Sequence, residues 1–195
     1  MIPRHFLIAT MVLCLALLGM VYYGLHLKHE AEQLKPEEPT AKPMTPPVGG
    51  KPEQISIYVP DDARGILHRR DAATPLSAEA DQRAAQVLRA LFAAWQDKSS
   101  THPLASGADV NSVYLVNGNT AVIDLNAEFA DRHQSGILVE ELTLAAMART
   151  LAENIPGTTR IRILIDGKQR DTLAGHADLT GFYVLGSNDW AIAEH

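Results

Sequence analysis

The sequence predicts an α+β domain with the element order β-α-β-β-α-β, preceded by an N-terminal transmembrane helix. Two helical patterns, an Asn-Gly turn signal and alternating strand patterns around them give this order. Elements in this order are expected to form one mixed, mostly antiparallel sheet with both helices packed on one face. The other face of the sheet is then left for solvent or for a partner.

Composition limits the domain to one ordinary core, because the chain has 195 residues of which 46% are hydrophobic. Lys and Arg number 17 and Asp and Glu number 23, so the formal charge is 17 − 23 = −6. A net negative charge argues against nucleic acid as a partner. The single cysteine, Cys14, excludes an internal disulfide framework and a thiolate zinc site.

An uncharged apolar run from Phe6 to Leu25 follows a five-residue N-terminal tail. As a helix it would be roughly 30 Å long, which matches the hydrocarbon core of a bilayer. The run lacks an Ala-x-Ala cleavage site, which favours an uncleaved anchor over a signal peptide. The lipid bilayer is therefore a predicted partner. Lysines after the run outnumber the single arginine before it, so charge alone does not decide the orientation.

Residues 26–54 are predicted to be a linker. Six of the eleven prolines of the chain fall between Lys35 and Gln54, and this stretch has no apolar periodicity. Such a composition favours polyproline II, a semi-rigid conformation that could hold a folded domain up to about 60 Å from the bilayer.

The folded domain is predicted to begin with two paired strands and a helix. Ile55–Val59 alternates in the manner of a strand, and Ile66–Arg70 is expected to pair with it across the turn at residues 63–65. Ser77 is a suitable N-cap for the first helix. The apolar side of this helix has helical spacing and consists of Ala84, Leu88, Leu91, Phe92 and Trp95.

A hairpin is predicted next, because Asn117-Gly118 separates two alternating stretches, residues 112–116 and 120–125. A second helix is expected over Ile137–Asn154, ending before a Pro-Gly pair. A last strand over Arg160–Ile165 should turn toward a short partner at residues 170–173. The apolar tail, residues 183–195, is expected either to cap the core or to present aromatic anchors to another protein.

No catalytic, cofactor-binding or metal-binding residues are predicted. The eight histidines are scattered without a helical His-x-x-x-His pair, and no phosphate-binding glycine loop or nucleophile elbow occurs. Glu140 and Glu141 are adjacent, so on a helix they point about 100° apart and cannot jointly flank a bond. Their position in the first turn of a helix explains them as charges that stabilise its N-terminus.

Six residues are candidates for an interaction surface: Arg64, Arg69, Arg70, Asp124, Tyr183 and Trp190. The three arginines could dock an anionic partner, although neighbouring aspartates favour a solvated charged edge. Asp124, at a strand end, is a candidate for a polar contact. Tyr183 and Trp190 are the aromatic anchors of the tail.

The stretch from Ile55 to about Phe182 resembles the GerMN domain of bacterial sporulation, germination and other envelope proteins. The order and spacing of short segments carry the resemblance: Tyr58-Val59, Leu91–Trp95, Pro103–Gly107, Ala121–Asn126 with Phe129, Thr150-Leu151, Ile163–Gly167 and Leu173–His176. Asn126 departs from the serine that is frequent in the family. The resemblance implies an exported, membrane-tethered, non-enzymatic domain that is similar in build to ring-building modules of secretion and sporulation complexes.

Together these features predict a single-pass protein of the cytoplasmic membrane whose extracytoplasmic domain acts in protein–protein association, with a partner or with itself. The alternative is an envelope module that binds a cell-wall glycan or a small molecule. A concave aromatic-lined pocket would indicate the alternative, whereas a flat apolar patch would indicate association.

Overall fold

The computed structural model describes residues 51–185, together with Met20 and the backbone of residues 192 and 193. The chain divides into two units, Met1–Thr45 and Pro46–His195, and the domain described below belongs to the second. The predicted transmembrane segment, apart from Met20, lies outside the described residues, as does most of the predicted linker. None of the helices in the described part of the chain has the length and apolar character needed to span a bilayer.

The described domain is a mixed α+β structure, as predicted. In chain order its elements are β1 (Pro52–Asp61), β2 (Ile66–Pro75), α1 (Ala80–Trp95), β3 (Val110–Val116), β4 (Thr120–Leu125), α2 (Ala127–Asp131), α3 (Ile137–Asn154), β5 (Arg160–Ile165), β6 (Tyr183–Val184) and β7 (Ile192–Ala193).

The strands form two sheets, so the prediction of a single sheet is wrong. The first sheet has the order β1-β2-β7, and its antiparallel β1-β2 pair confirms the predicted first hairpin. The second sheet has the order β3-β4-β5-β6, in which only the β4-β5 pair is parallel. Asn117 and Gly118 adopt φ angles of 53° and 71° between β3 and β4, as the predicted hairpin requires.

Side chains of α3 explain why β1 does not join the second sheet. The amide of Asn154 accepts a hydrogen bond from the Ser56 N–H at 3.1 Å and donates one to the Ser56 carbonyl at 2.7 Å. The Thr150 hydroxyl accepts from the Tyr58 N–H at 3.0 Å. These groups occupy the backbone positions that a neighbouring strand would need, so a strand cannot pair along this edge of β1.

The outer edge of β3 is occupied in a similar way by α1. The Asp81 carboxylate accepts from the Leu115 N–H at 3.0 Å, and the Arg89 guanidinium donates to the Val110 carbonyl at 2.5 Å. Exposed strand edges can recruit other strands, and the side chains of α1 cover this one at both ends of β3.

The position of α3 adds to the expectation that both helices pack on one face of a sheet, because the helices also contact strands of the first sheet. Most residues of α3 are buried, and this helix contacts β1, β2 and β6 as well as α1. The other long helix, α1, contacts β3 as well as β1 and β2. Both helices therefore pack against strands of both sheets, and α3 is a central helix with apolar residues on most sides.

Two smaller expectations are also corrected. Helix α1 starts at Ala80 rather than next to Ser77, whose hydroxyl instead accepts a hydrogen bond from the Glu79 N–H at 3.1 Å. The stretch over residues 170–173 forms no strand, and the antiparallel partner of β5 is β6. Helix α3, by contrast, has the predicted bounds.

Candidate functional site

Four of the six exposed large apolar side chains within residues 51–185 lie on one face of the second sheet. Alternate residues of β3, β4 and β5 point into the core, including Val113, Ile123 and Ile163, which are at most 3% exposed. The intervening residues point away from the core because side chains alternate along a strand. We call this the outer face, and it consists of Ser112, Tyr114, Val116, Thr120, Val122, Asp124, Arg160, Arg162, Leu164, Phe182 and Val184.

Strand pairing arranges the outer face in rows across the sheet. Tyr114, Val122 and Arg162 are neighbours in register, and the Phe182 ring lies beside Arg162. Cross-strand neighbours on one face are close enough for their side chains to touch. The face therefore combines aromatic, aliphatic and guanidinium groups in one continuous surface.

Four of the outer-face side chains are large, apolar and exposed. Tyr114 is 37% exposed, Val116 40%, Phe182 47% and Val184 51%. Within residues 51–185, the other exposed large apolar side chains are Ile137 and Leu138, at the start of α3. Clustered exposed apolar groups of this kind mark interaction sites more often than scattered ones do.

The two arginines of the outer face both contact the ring of Phe182. The guanidinium carbons of Arg160 and Arg162 lie 4.8 Å and 5.5 Å from the ring centroid. Arg160 donates through Nε to the Thr120 hydroxyl at 2.6 Å, and Arg162 donates through Nη2 to the Gln169 side-chain oxygen at 2.9 Å. Cation–π contact with Phe182 thus holds both planar groups in place.

No carboxylate of the described residues forms an ion pair with Arg160 or Arg162. Six other arginines do form ion pairs with carboxylates: Arg64, Arg69, Arg83, Arg89, Arg132 and Arg170. Among the described residues, the two guanidinium groups of the outer face therefore have no carboxylate within ion-pair distance.

Asp124, a predicted interaction residue, lies on the outer face but is engaged within the domain. One of its oxygens accepts from the Gly167 N–H at 2.7 Å, and the other accepts from the Asn111 side-chain amide at 3.4 Å. Asn111 also contacts the Asp166 carboxylate at 3.3 Å. Asp124 thus ties the turn after β5 to the end of β4.

The predicted arginine cluster is not one surface. Arg64 lies in the β1-β2 turn and pairs with Asp61 at 3.8 Å, whereas Arg69 on β2 pairs with Glu153 at 3.5 Å. Arg70 is the next residue of the same strand and therefore points to the opposite face.

The predicted aromatic anchors have different outcomes. Tyr183 is half-buried on β6, and its hydroxyl donates to the Asp178 carbonyl at 2.9 Å. Burial, assisted by the charge of Asp178, raises the pKa of Tyr183 to about 12. Trp190 lies outside the described residues.

Glu140 is a buried charge that sequence reasoning missed. Its side chain is fully buried and accepts hydrogen bonds from four backbone N–H groups, those of Gly136, Ala174, His176 and Ala177, at 2.8–3.1 Å. The His176 ring lies 2.9 Å from the same carboxylate. Burial alone would raise the pKa of Glu140, but the hydrogen bonds from Ala177, His176, Ala174 and Gly136 outweigh it and lower the pKa from 4.5 to about 2.

A second buried polar cluster joins Asp62, His102, Thr143 and His133. His102 is 2% exposed, with Nδ1 lying 2.7 Å from the Asp62 carboxylate and Nε2 lying 2.9 Å from the Thr143 hydroxyl. His133 Nε2 lies 2.8 Å from that hydroxyl, which also contacts the Val139 carbonyl at 2.9 Å. Burial lowers the pKa of His133.

This second cluster is structural. The order of carboxylate, imidazole and hydroxyl resembles a nucleophile with its base, but Thr143 is fully buried and no substrate can reach its oxygen. One hydroxyl proton also cannot serve both imidazole nitrogens and the carbonyl, so at least one imidazole must donate to Thr143. The sequence does hold a signal for both clusters, because Glu140 and Thr143 are polar residues three positions apart in a helix that is mostly apolar.

Within the part of the chain that the structure describes, no group of three or more His, Cys, Asp or Glu side chains is placed to hold a metal ion. The outer face is therefore the candidate site, and what it offers chemically is recognition through aromatic, aliphatic and guanidinium contacts.

Comparison with known families places this domain. Residues 56–171 match the Germane family, which is described as sporulation and spore germination, and this match spans more than half of the chain. The chain belongs to the Germane family. No curated protein matches it significantly.

Solved structures agree with the fold of the Germane domain. The first GerMN domain of the sporulation protein GerM from Bacillus subtilis has a TM-score of 0.53 and 17% identity, covering 70% of this chain and 99% of that one. The tandem GerMN domains of the same protein have a TM-score of 0.50 and 16% identity, covering 67% of this chain and 45% of that one. At these identities the likeness concerns the fold of the Germane domain and not its partners.

Proposed function

We propose that the chain is a single-pass protein of the bacterial cytoplasmic membrane whose Germane domain lies on the outer side and acts by binding another protein. The domain is proposed to have no catalytic role of its own. The apolar run at residues 6–25 and the Pro-rich linker support the anchoring, because they have the length and composition of a membrane span and a spacer.

The outer face is the observation that carries the proposal of association. Its exposed Tyr114, Val116, Phe182 and Val184 surround two arginines. Aromatic residues and arginine are enriched where protein interfaces have most of their binding energy. The charged groups of the interior, in contrast, are held by contacts within the domain.

Site-specific photo-crosslinking in intact cells tests this proposal with the full chain. A photoreactive residue replaces Val116 or Val184 on the outer face, and the control replaces Gln82, which is exposed on α1. We expect a discrete protein adduct from the outer-face positions and none from the control. Equal adduct formation at all three positions, or none at any, would contradict the proposal.

The anchoring is tested separately by cell fractionation and protease access. We expect the full chain in the membrane fraction and the Germane domain to be digested by protease added outside spheroplasts. A variant lacking residues 6–25 should leave the membrane fraction, and its retention there would overturn the anchor.

A further inference from the structure

We infer that the outer face binds an acidic segment of another protein, with the carboxylates of that segment paired to Arg160 and Arg162. This inference rests on the proposed function and adds the chemistry of the partner. It starts from the two guanidinium groups, which both lie over the ring of Phe182 and form no ion pair with the described residues.

The geometry of the two arginines suits carboxylates. A guanidinium presents its N–H groups in a planar fork that matches the two oxygens of a carboxylate. Within the domain, Nε of Arg160 donates to Thr120 and Nη2 of Arg162 donates to Gln169, whereas Nε of Arg162 is buried without a hydrogen-bond partner. The terminal nitrogens of Arg160 and Nη1 of Arg162 form no hydrogen bond with the described residues, and they are the donors for a partner.

The apolar surroundings of the arginines strengthen this choice. Val184 pairs in register with Arg160, and Val122 pairs with Arg162. Partner side chains that cover these groups would exclude water from the ion pairs and make the charge pairing stronger. An acidic segment that also carries aliphatic or aromatic residues is the occupant that satisfies both features.

A second copy of this chain fits the charges less well. Its outer face would bring only one carboxylate, Asp124, and both oxygens of that carboxylate already accept hydrogen bonds from Gly167 and Asn111. An acidic segment of another protein does not have this obstacle. An anionic lipid is the other source of negative charge, and crosslinking at Val116 and Val184 distinguishes it from a protein segment.

The test extends the crosslinking at Val116 and Val184 in cells with the full chain. The crosslinked peptide is identified by mass spectrometry, and adduct yield is compared between the parent and the double variant Arg160→Gln/Arg162→Gln. A matched control, Arg83→Gln/Arg132→Gln, removes two arginines whose carboxylate partners lie within the domain. We expect a crosslinked peptide rich in Asp and Glu, and a yield that falls about tenfold or more only in the Arg160/Arg162 variant.

A synthetic peptide of the crosslinked sequence then gives a second readout. Its affinity for the domain should fall as salt rises and should be lost on replacing its acidic residues with the corresponding amides. Adducts with another protein that form at a neutral segment, or that survive the loss of both arginines, would overturn the acidic partner and leave the proposed association standing. Adducts with a second copy or with lipid would also overturn the acidic partner. The absence of any adduct would contradict both the acidic partner and the proposed association.

Discussion

The buried charges of this domain and the charges of its outer face are arranged in opposite ways. Glu140 accepts hydrogen bonds from four backbone N–H groups and lies against the His176 ring, all within the domain. Arg160 and Arg162 form no ion pair among the described residues, and they both contact the exposed ring of Phe182. On the proposed function, the first group serves stability and the second serves recognition, so substitutions should separate the two.

The largest expected effect comes from Glu140→Gln. This change removes the charge that four backbone N–H groups and the His176 ring surround, and it places an amide N–H₂ against donors. We expect a loss of about 3 kcal/mol in the free energy of unfolding and a Tm lower by roughly 10 °C. Urea unfolding measures the loss in free energy, and the control is Glu141→Gln at the exposed neighbouring position. Equal losses in both variants would contradict the stabilising role of the buried Glu140 charge.

The second effect is the dependence of this stabilisation on pH. The folded-state pKa of Glu140 is about 2, below its usual 4.5, so its contribution is present above pH 4.5 and is lost as the pH falls toward 2. We expect the difference in stability between the parent and Glu140→Gln to shrink by about 2 kcal/mol between roughly pH 6 and pH 3. A difference that is constant with pH would show that the charge is not the cause.

The third effect concerns the hydroxyl shared by the two buried imidazoles. Thr143→Val retains the shape of the side chain but leaves His102 and His133 without their common partner. We expect a loss of about 1–3 kcal/mol, whereas Thr143→Ser, which retains the hydroxyl, should lose less. Thermal unfolding compares the two variants. A serine variant as unstable as the valine variant would point to packing instead of hydrogen bonding.

The smallest expected effect on stability comes from the outer face. Arg160→Gln/Arg162→Gln removes the hydrogen bonds to Thr120 and Gln169 and the contacts with Phe182, but it breaks no ion pair within the described residues. It should change the free energy of unfolding by only about 1 kcal/mol. The same variant is expected to lose most of its crosslinked adduct. Urea unfolding and the crosslinking yield are measured on the same variant. Strong destabilisation of this variant would contradict the assignment of the two arginines to recognition instead of stability.

The local elements could be predicted from the sequence, and so could part of the candidate site. The Asn117-Gly118 turn and the bounds of α3 follow from local patterns and are confirmed. Alternation along β3 and β5 is enough to place Tyr114 and Arg162 away from the core. Phe182 could not be placed beside them, because its position depends on the pairing of β6 with a strand distant in sequence.

The division into two sheets could not be predicted for a similar reason. It depends on Asn154 and Thr150 reaching the backbone of β1 across a separation of more than 90 residues, and in the sequence they are ordinary residues near the end of a helix. The sequence of α3 carries a weak signal that this helix is buried on most sides. Its 18 residues include only four charged ones, Glu140, Glu141, Arg149 and Glu153, which is few for a helix with one solvated side.

The covering of β1 and β3 by helix side chains has a consequence for how copies of this domain can meet. Asn154 and Thr150 on one strand, and Asp81 and Arg89 on the other, take up backbone groups that would template cross-β growth. Two copies of this domain that meet therefore cannot extend a sheet from one to the next at these positions. Contact between copies is left to side chains, which can be selective where a bare backbone is not.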